Sequence, residues 1–202
     1  MDDYTKGSIS MTTEIEEQRP GNNRATKINR KHIMSSVYRR KFDEISDSPE
    51  LNRLLYQLAK KMLHHRSGTT FEDMYWISPE SLETVAEENN GTEEKAIRYS
   101  RKTRRTVERN KGLITIHSHP DSFPPSIGDF NSNFYNEYSI GIVVCHDGKV
   151  YLYSSNQEVN RRYYDLAVAD FIKQGYNECE AQVHALNELM RNFDIQFKEV
   201  AY

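Results

Sequence analysis

The chain has 202 residues, 37% of them hydrophobic and 28% charged, with a mean hydropathy of −0.82; this is enough for one ordinary domain and a tail but not for two full-sized catalytic domains. Its 27 Lys and Arg against 30 Asp and Glu give a formal charge of −3, which excludes a global attraction to nucleic acid or to an anionic membrane. Two cysteines, Cys145 and Cys179, exclude a disulfide framework, and the longest apolar run, 140–145, is far below the roughly 20 residues that span a bilayer. With no signal peptide in view, a soluble protein of the reducing cytoplasm is expected.

Residues 1–31 are polar, with isolated Ile9, Met11 and Ile15 and no apolar period, so a disordered tail is expected there. Ile33, Met34, Val37, Tyr38, Phe42 and Ile45 recur at helical spacing and predict a short first helix. Ser48, Pro49 and Glu50 then supply a cap, a first-turn proline and a first-turn acid. The stripe Leu51, Leu54, Leu55, Leu58, Met62, Leu63 follows and Gly68 closes it, so residues 32–68 read as a helical lead-in. Met74-Tyr75-Trp76-Ile77 is a strand by composition, and a turn at 78–81 predicts a hairpin with 82–86. Residues 96–99 are expected to form a further strand before a basic helix over 101–109. Residues 113–117 form a strand running into His119 and Pro120, where proline takes the chain out of the sheet. Segments 139–145 and 150–154 pair across Asp147-Gly148, whose glycine suits a tight turn. Everything after that is expected to be helical, with stripes on Tyr163, Leu166, Ala167, Phe171 and on Ala181, Val183, Leu186, Leu189, Met190.

The chemistry concentrates in His117-Ser118-His119-Pro120 and Ser126-Ile127-Gly128-Asp129. Two histidines one residue apart in an extended segment point to one face, so both imidazoles reach a single ion. If Ser126 caps a helix, Asp129 sits in its first turn and offers a third ligand. Two neutral imidazoles and a carboxylate suit Zn2+ with a fourth position left for water, the arrangement of a catalytic site. Hydrolysis also needs a base and an oxyanion donor. Ser126 is the candidate donor, and Glu72, at the start of the Met74–Ile77 strand, is the candidate base if that strand meets the one ending at His117.

These residues resemble the JAMM (MPN+) zinc metallopeptidases, whose pattern is a glutamate at a strand start, then His-Ser/Thr-His-Pro and Ser-x-x-Asp. The resemblance covers about 72–154. It implies zinc on His117, His119 and Asp129, Glu72 as base and Ser126 as oxyanion donor. It implies an α/β fold as well: a mixed, partly curved sheet flanked by helices, of the JAMM/MPN, cytidine-deaminase-like kind, with a catalytic domain over 69–202 ending in C-terminal helices. The spacer between Pro120 and Ser126 is one residue shorter than in eukaryotic deubiquitinating members and resembles the bacterial and phage-associated branch. The lead-in, including residues 38–42 and 65–69, is similar to that branch too, more weakly. Only 130–138 separate Asp129 from the next strand, leaving little room for a ubiquitin clamp. The implied activity is cleavage of a peptide or isopeptide bond in a protein substrate.

Two other readings remain open: a phage-associated accessory protein-binding module whose zinc is structural, and a RadC-like DNA-associated protein. The latter needs the basic run Arg101, Lys102, Arg104, Arg105, Arg109, Lys111 to face the site. Such runs are more often a solvated helix face, so nucleic acid is not expected as a partner. His64, His65 and His146 lack partners at metal spacing, and Cys145 has no base beside it.

Overall fold

A computed structural model describes residues 21–201. Six strands form one mixed sheet in the order β2-β1-β3-β4-β5-β6, comprising β1 (Met74–Ile77), β2 (Thr84–Glu88), β3 (Ile114–His119), β4 (Ile140–Cys145), β5 (Val150–Ser155) and β6 (Ile195–Glu199). Every pairing is antiparallel except β3 with β4. A parallel pair needs a crossover, and helix α5 (Ile127–Asn136) supplies it.

The two-residue period of the strands divides the core into layers. One face of the sheet, with Tyr75, Ile77, Ile114, Ile116, Ile142, Val144 and Val150, packs on the lead-in helices α1 (Arg30–Ile33), α2 (Ser36–Asp43) and α3 (Pro49–Arg66). The other, with Val143, Cys145, Tyr151 and Tyr153, packs beneath α5, α6 (Arg161–Lys173) and α7 (Glu178–Asn192). Toward the β2 edge of that second face, Met74, Trp76, Val107 and Tyr138 form a smaller cluster under α4 (Arg101–Arg109). The architecture is thus α/β, with a mixed sheet flanked by helices on both faces, as expected. No described helix is long and apolar enough to cross a membrane.

Local chemistry accounts for most boundaries. Helix α3 begins where Ser48 accepts from the Leu51 N–H at 3.2 Å and Pro49 occupies the first turn. It ends before Gly68, whose φ of +79° is left-handed, and a Cβ at Gly68 would come within 2.2 Å of the Gly21 carbonyl oxygen. Gly148, at φ +93°, turns the β4–β5 hairpin.

Four expectations are corrected. Residues 21–31 are not tail: Thr26 and Ile28 are buried, and the Asn23 N–H donates to the Gly68 carbonyl at 3.0 Å. Residues 1–20 lie outside the described residues. The first helix is two, because Ser35 caps a new start by accepting from the Tyr38 N–H. Residues 96–99 form no strand. Lys95 there adopts φ +51° and Ile97 and Tyr99 pack on the Met74–Trp76 cluster as irregular chain. The C-terminal region is not all helical, since Ile195 and Phe197 alternate inward in β6, where Phe197 stacks on Tyr151.

Candidate metal centre

Strand β3 carries both histidines to its C-terminal end, where Pro120 stops the ladder. The backbone alternation puts His117 and His119 on one face and Ser118 on the other. The two imidazoles meet with their Nε2 atoms 3.1 Å apart. Ser126 caps α5 in a capping box: its N–H and hydroxyl both donate to Asp129 Oδ2, at 2.7 and 2.8 Å. That box aims the Asp129 carboxylate at the histidines, with Oδ1 at 3.5 Å from His117 Nε2 and Oδ2 at 3.9 Å from His119 Nε2.

These donors suit a tetrahedral ion. Bonds of about 2.0–2.1 Å place neighbouring ligand atoms about 3.3 Å apart, and one potential ligand atom from each of His117, His119 and Asp129 falls within 4.8 Å of the others. His119 Nδ1 lies 2.9 Å from the Phe123 carbonyl oxygen. Donation there leaves its Nε2 lone pair free for the centre, the outer contact that orients metal-binding histidines. His117 is held by packing: Tyr153 stands edge-on to it at 6.3 Å, and its Nδ1 is buried without a partner among the described residues. Burial drives the His117 pKa down to about 4, Asp129 opposing and His119 adding to the effect, so the imidazole is neutral at physiological pH, as a ligand must be. Burial alone would raise the Asp129 pKa, but the two histidines and the Ser126 hydrogen bonds outweigh it and hold the carboxyl below its ordinary range.

Glu72 reaches the same place through sheet register. Met74 pairs with His117 across β1 and β3, and the Ser118 N–H donates to the Asp73 carbonyl at 3.0 Å while the Asp73 N–H donates to Ser118 Oγ. One step further, Glu72 falls opposite His119. Its carboxyl lines a cleft of about 440 Å³ together with His119, Ser126 and Asp129. Burial pushes its pKa up to about 7; His119 and Lys95 counteract this, and Asp129 and Asp121 reinforce it. A group poised there takes and returns protons near neutral pH.

The structure therefore brings all five expected residues together. One detail departs from expectation: the Ser126 hydroxyl is engaged with Asp129 rather than free toward the cleft. Several contributors had escaped the sequence reading. The Phe123 carbonyl is backbone and has no sequence signal. Tyr153 was legible only as an aromatic in a strand. Lys95 and Asp121 form an ion pair of 2.9 Å at the cleft wall, and neither position carries a motif. Behind Glu72, the buried Arg66 guanidinium donates to Asp73 at 2.5 Å and His65 bonds the other carboxylate oxygen at 2.8 Å. Cys145 is buried, which raises its thiol pKa well above the usual range and removes it as a nucleophile. No protein-family model matches the chain, and neither curated proteins nor solved structures include a match to it.

Proposed function

We propose that the chain is a zinc-dependent metallohydrolase of the JAMM type that cleaves a peptide or isopeptide bond. One observation carries the reading: the β1–β3 register delivers the Glu72 carboxyl group into the cleft shared by His119 and Asp129. His117, His119 and Asp129 would hold the ion. When bound, zinc polarises a carbonyl and lowers the pKa of water to about 7.

The chain's own residues supply the rest. Glu72, whose ionised form the charge of a bound ion would favour, accepts a proton from the attacking water and passes it to the departing amine. Ser126 holds Asp129 through two donors to one oxygen. Turning its hydroxyl toward the substrate leaves the N–H on Asp129, so the hydroxyl can serve the developing oxyanion without releasing the ligand. Lys95, Tyr99 and Phe123 wall the cleft and narrow the approach of a chain.

The test combines metal analysis with trapping. Wild-type protein should contain about one zinc per chain and Asp129→Ala should lose it. Glu72→Gln should keep zinc and lose about 10²–10⁴-fold in cleavage, so that it retains substrate captured from its native cell. A wild-type protein without zinc, or a fully active Glu72→Gln variant, overturns the proposal.

A further inference from the structure

Helix α4 carries a charge pattern that its own structure does not balance. Arg101 and Lys102 occupy its first turn and no acid of the helix itself does, although the partial positive charge of a helix start disfavours cations; a carboxylate from β2, Glu88, sits at that start but accepts from the Ser100 N–H and the Thr103 hydroxyl rather than pairing with either cation. Helices α3, α5 and α7 begin instead with Glu50, with Asp129, and with Glu178 and Glu180. Helix α6 also starts on two arginines, but there Arg161 pairs with Asp165 at 3.8 Å.

Further along α4, Arg105 and Arg109 follow Arg101 at four-residue intervals, about 6 Å apart along the axis, and like charges at that spacing repel. These three side chains and the neighbouring Lys102, which together make up the row, are all exposed. Among the described residues none of the four makes an ion pair, and Glu108, the only acid on the helix, pairs with none of them. The other basic residues of the run are engaged: Arg104 donates to the Tyr99 carbonyl and Lys111 pairs with Glu137. Arg101, Lys102, Arg105 and Arg109, with Thr106 and Asn110, line a shallow concavity of about 540 Å³ that contains no carboxylate.

We propose that this row is a docking face for the phosphate backbone of a nucleic-acid duplex. A concentrated, unpaired set of mainly arginine side chains matches phosphate geometry and needs no apolar anchor, because backbone binding is driven by counterion release. A membrane surface fits poorly, since none of the large exposed hydrophobic side chains lies on α4 and an interfacial helix needs an apolar face. An acidic protein partner would call for aromatic or aliphatic anchors at the centre of the contact, which the row lacks. The absence of an exposed aromatic on α4 favours a duplex over a single strand, whose bases would seek a stacking platform. The chain's net charge of −3 masks this face, and the basic run alone does not show which of its cations are exposed without an ion pair. The row begins two residues after Tyr99, which lines the cleft, but shares no residue with the cleft wall, so its docking role does not depend on zinc in the cleft.

Full-length protein titrated into a fluorescein-labelled 20-base-pair DNA duplex, read by anisotropy, tests it. Four phosphate contacts predict a log–log salt slope near −3.6, or roughly a 100-fold loss of affinity between 50 and 200 mM salt. The R101E/R105E/R109E protein should lose at least tenfold in affinity with an unchanged circular dichroism spectrum. R101Q/R105Q/R109Q, which removes charge without reversing it, should lose affinity to a smaller extent. A control reversing three exposed cations elsewhere, K31E/K61E/K173E, should bind nearly as wild type. Absence of binding at 50 mM salt, equal weakening by the control, or tighter row-dependent binding to polyglutamate or to phosphatidylserine vesicles would each overturn the proposal.

Discussion

Replacing Glu72 by Gln should stabilise the metal-free protein even as it removes the base of the proposed reaction. The Glu72 carboxyl receives no hydrogen bond and no ion pair among the described residues, and burial raises its pKa from 4.5 to about 7. A carboxyl whose pKa is raised on folding binds its proton more tightly in the native state than in the unfolded one. The penalty from this one group is therefore absent below pH 4.5, grows as pH climbs toward 7, and is complete above that. At about 1.4 kcal/mol per pH unit the displacement amounts to about 3 kcal/mol at most, and partial solvent access reduces it toward about 1. Gln has nearly the same shape and no charge, so it removes the penalty. In a protein of this size 1–3 kcal/mol corresponds to a rise of roughly 3–10 °C in Tm. Thermal denaturation in EDTA at pH 8 should show this gain, and at pH 5 it should shrink to about a quarter. A variant no more stable than wild type at pH 8, or one with equal gains at both pH values, would refute the picture of Glu72 as a desolvated, proton-hungry carboxyl.

Two other substitutions examine the supports of the centre. Arg66→Met should strand the fully buried Asp73 carboxylate with only His65 for a partner and cost about 3–5 kcal/mol in urea unfolding, whereas a loss under 1 kcal/mol would show that the pair is dispensable. Gly141→Ala places a Cβ 2.0 Å from the Tyr153 ring, which stands edge-on to His117. Overpacking there should cost about 1–3 kcal/mol and, on the proposed zinc centre, weaken retention of the ion; an unchanged Tm would mean that the ring yields freely.

The parts of the centre that depend on local periodicity were legible before any fold was known. The two-residue alternation of a strand put His117 and His119 on one face, and the capping geometry of Ser126 put Asp129 in a first turn. Ranges set by caps and glycines, such as Pro49–Arg66, were readable for the same reason. What depends on partners distant in sequence was not. Strand β6 has only Ile195 and Phe197 as inward residues, too few for a period to emerge beside the long helical stripe of α7. Residues 96–99 have strand-like composition but take their place by packing, with no neighbouring strand to complete a ladder. Residues 21–31 look like a tail because their burial comes from single contacts, such as Ile28, whose N–H donates to Ser67 Oγ, rather than from a repeating apolar face.

The position of Glu72 shows how the two kinds of information combine. A carboxyl held in a poorly solvated cleft tends to turn away toward water, and among the described residues nothing bonds to it directly, so the neighbouring backbone must hold it in place. The next residue does this. Asp73 is fixed on one side by its carbonyl and N–H to Ser118, and on the other by its buried carboxylate to Arg66 and His65 at the end of α3. The residue between the two histidines thus has a task of its own: Ser118 faces away from the centre and anchors the strand that presents the carboxyl opposite His119. The lead-in helix contributes to the centre by the same route, since Arg66 in its last turn neutralises the carboxylate that would otherwise make this strand start untenable. The helical segment and the cleft are for that reason one energetic unit: weakening Arg66 should disturb the proton affinity of Glu72 without touching any residue that lines the cleft.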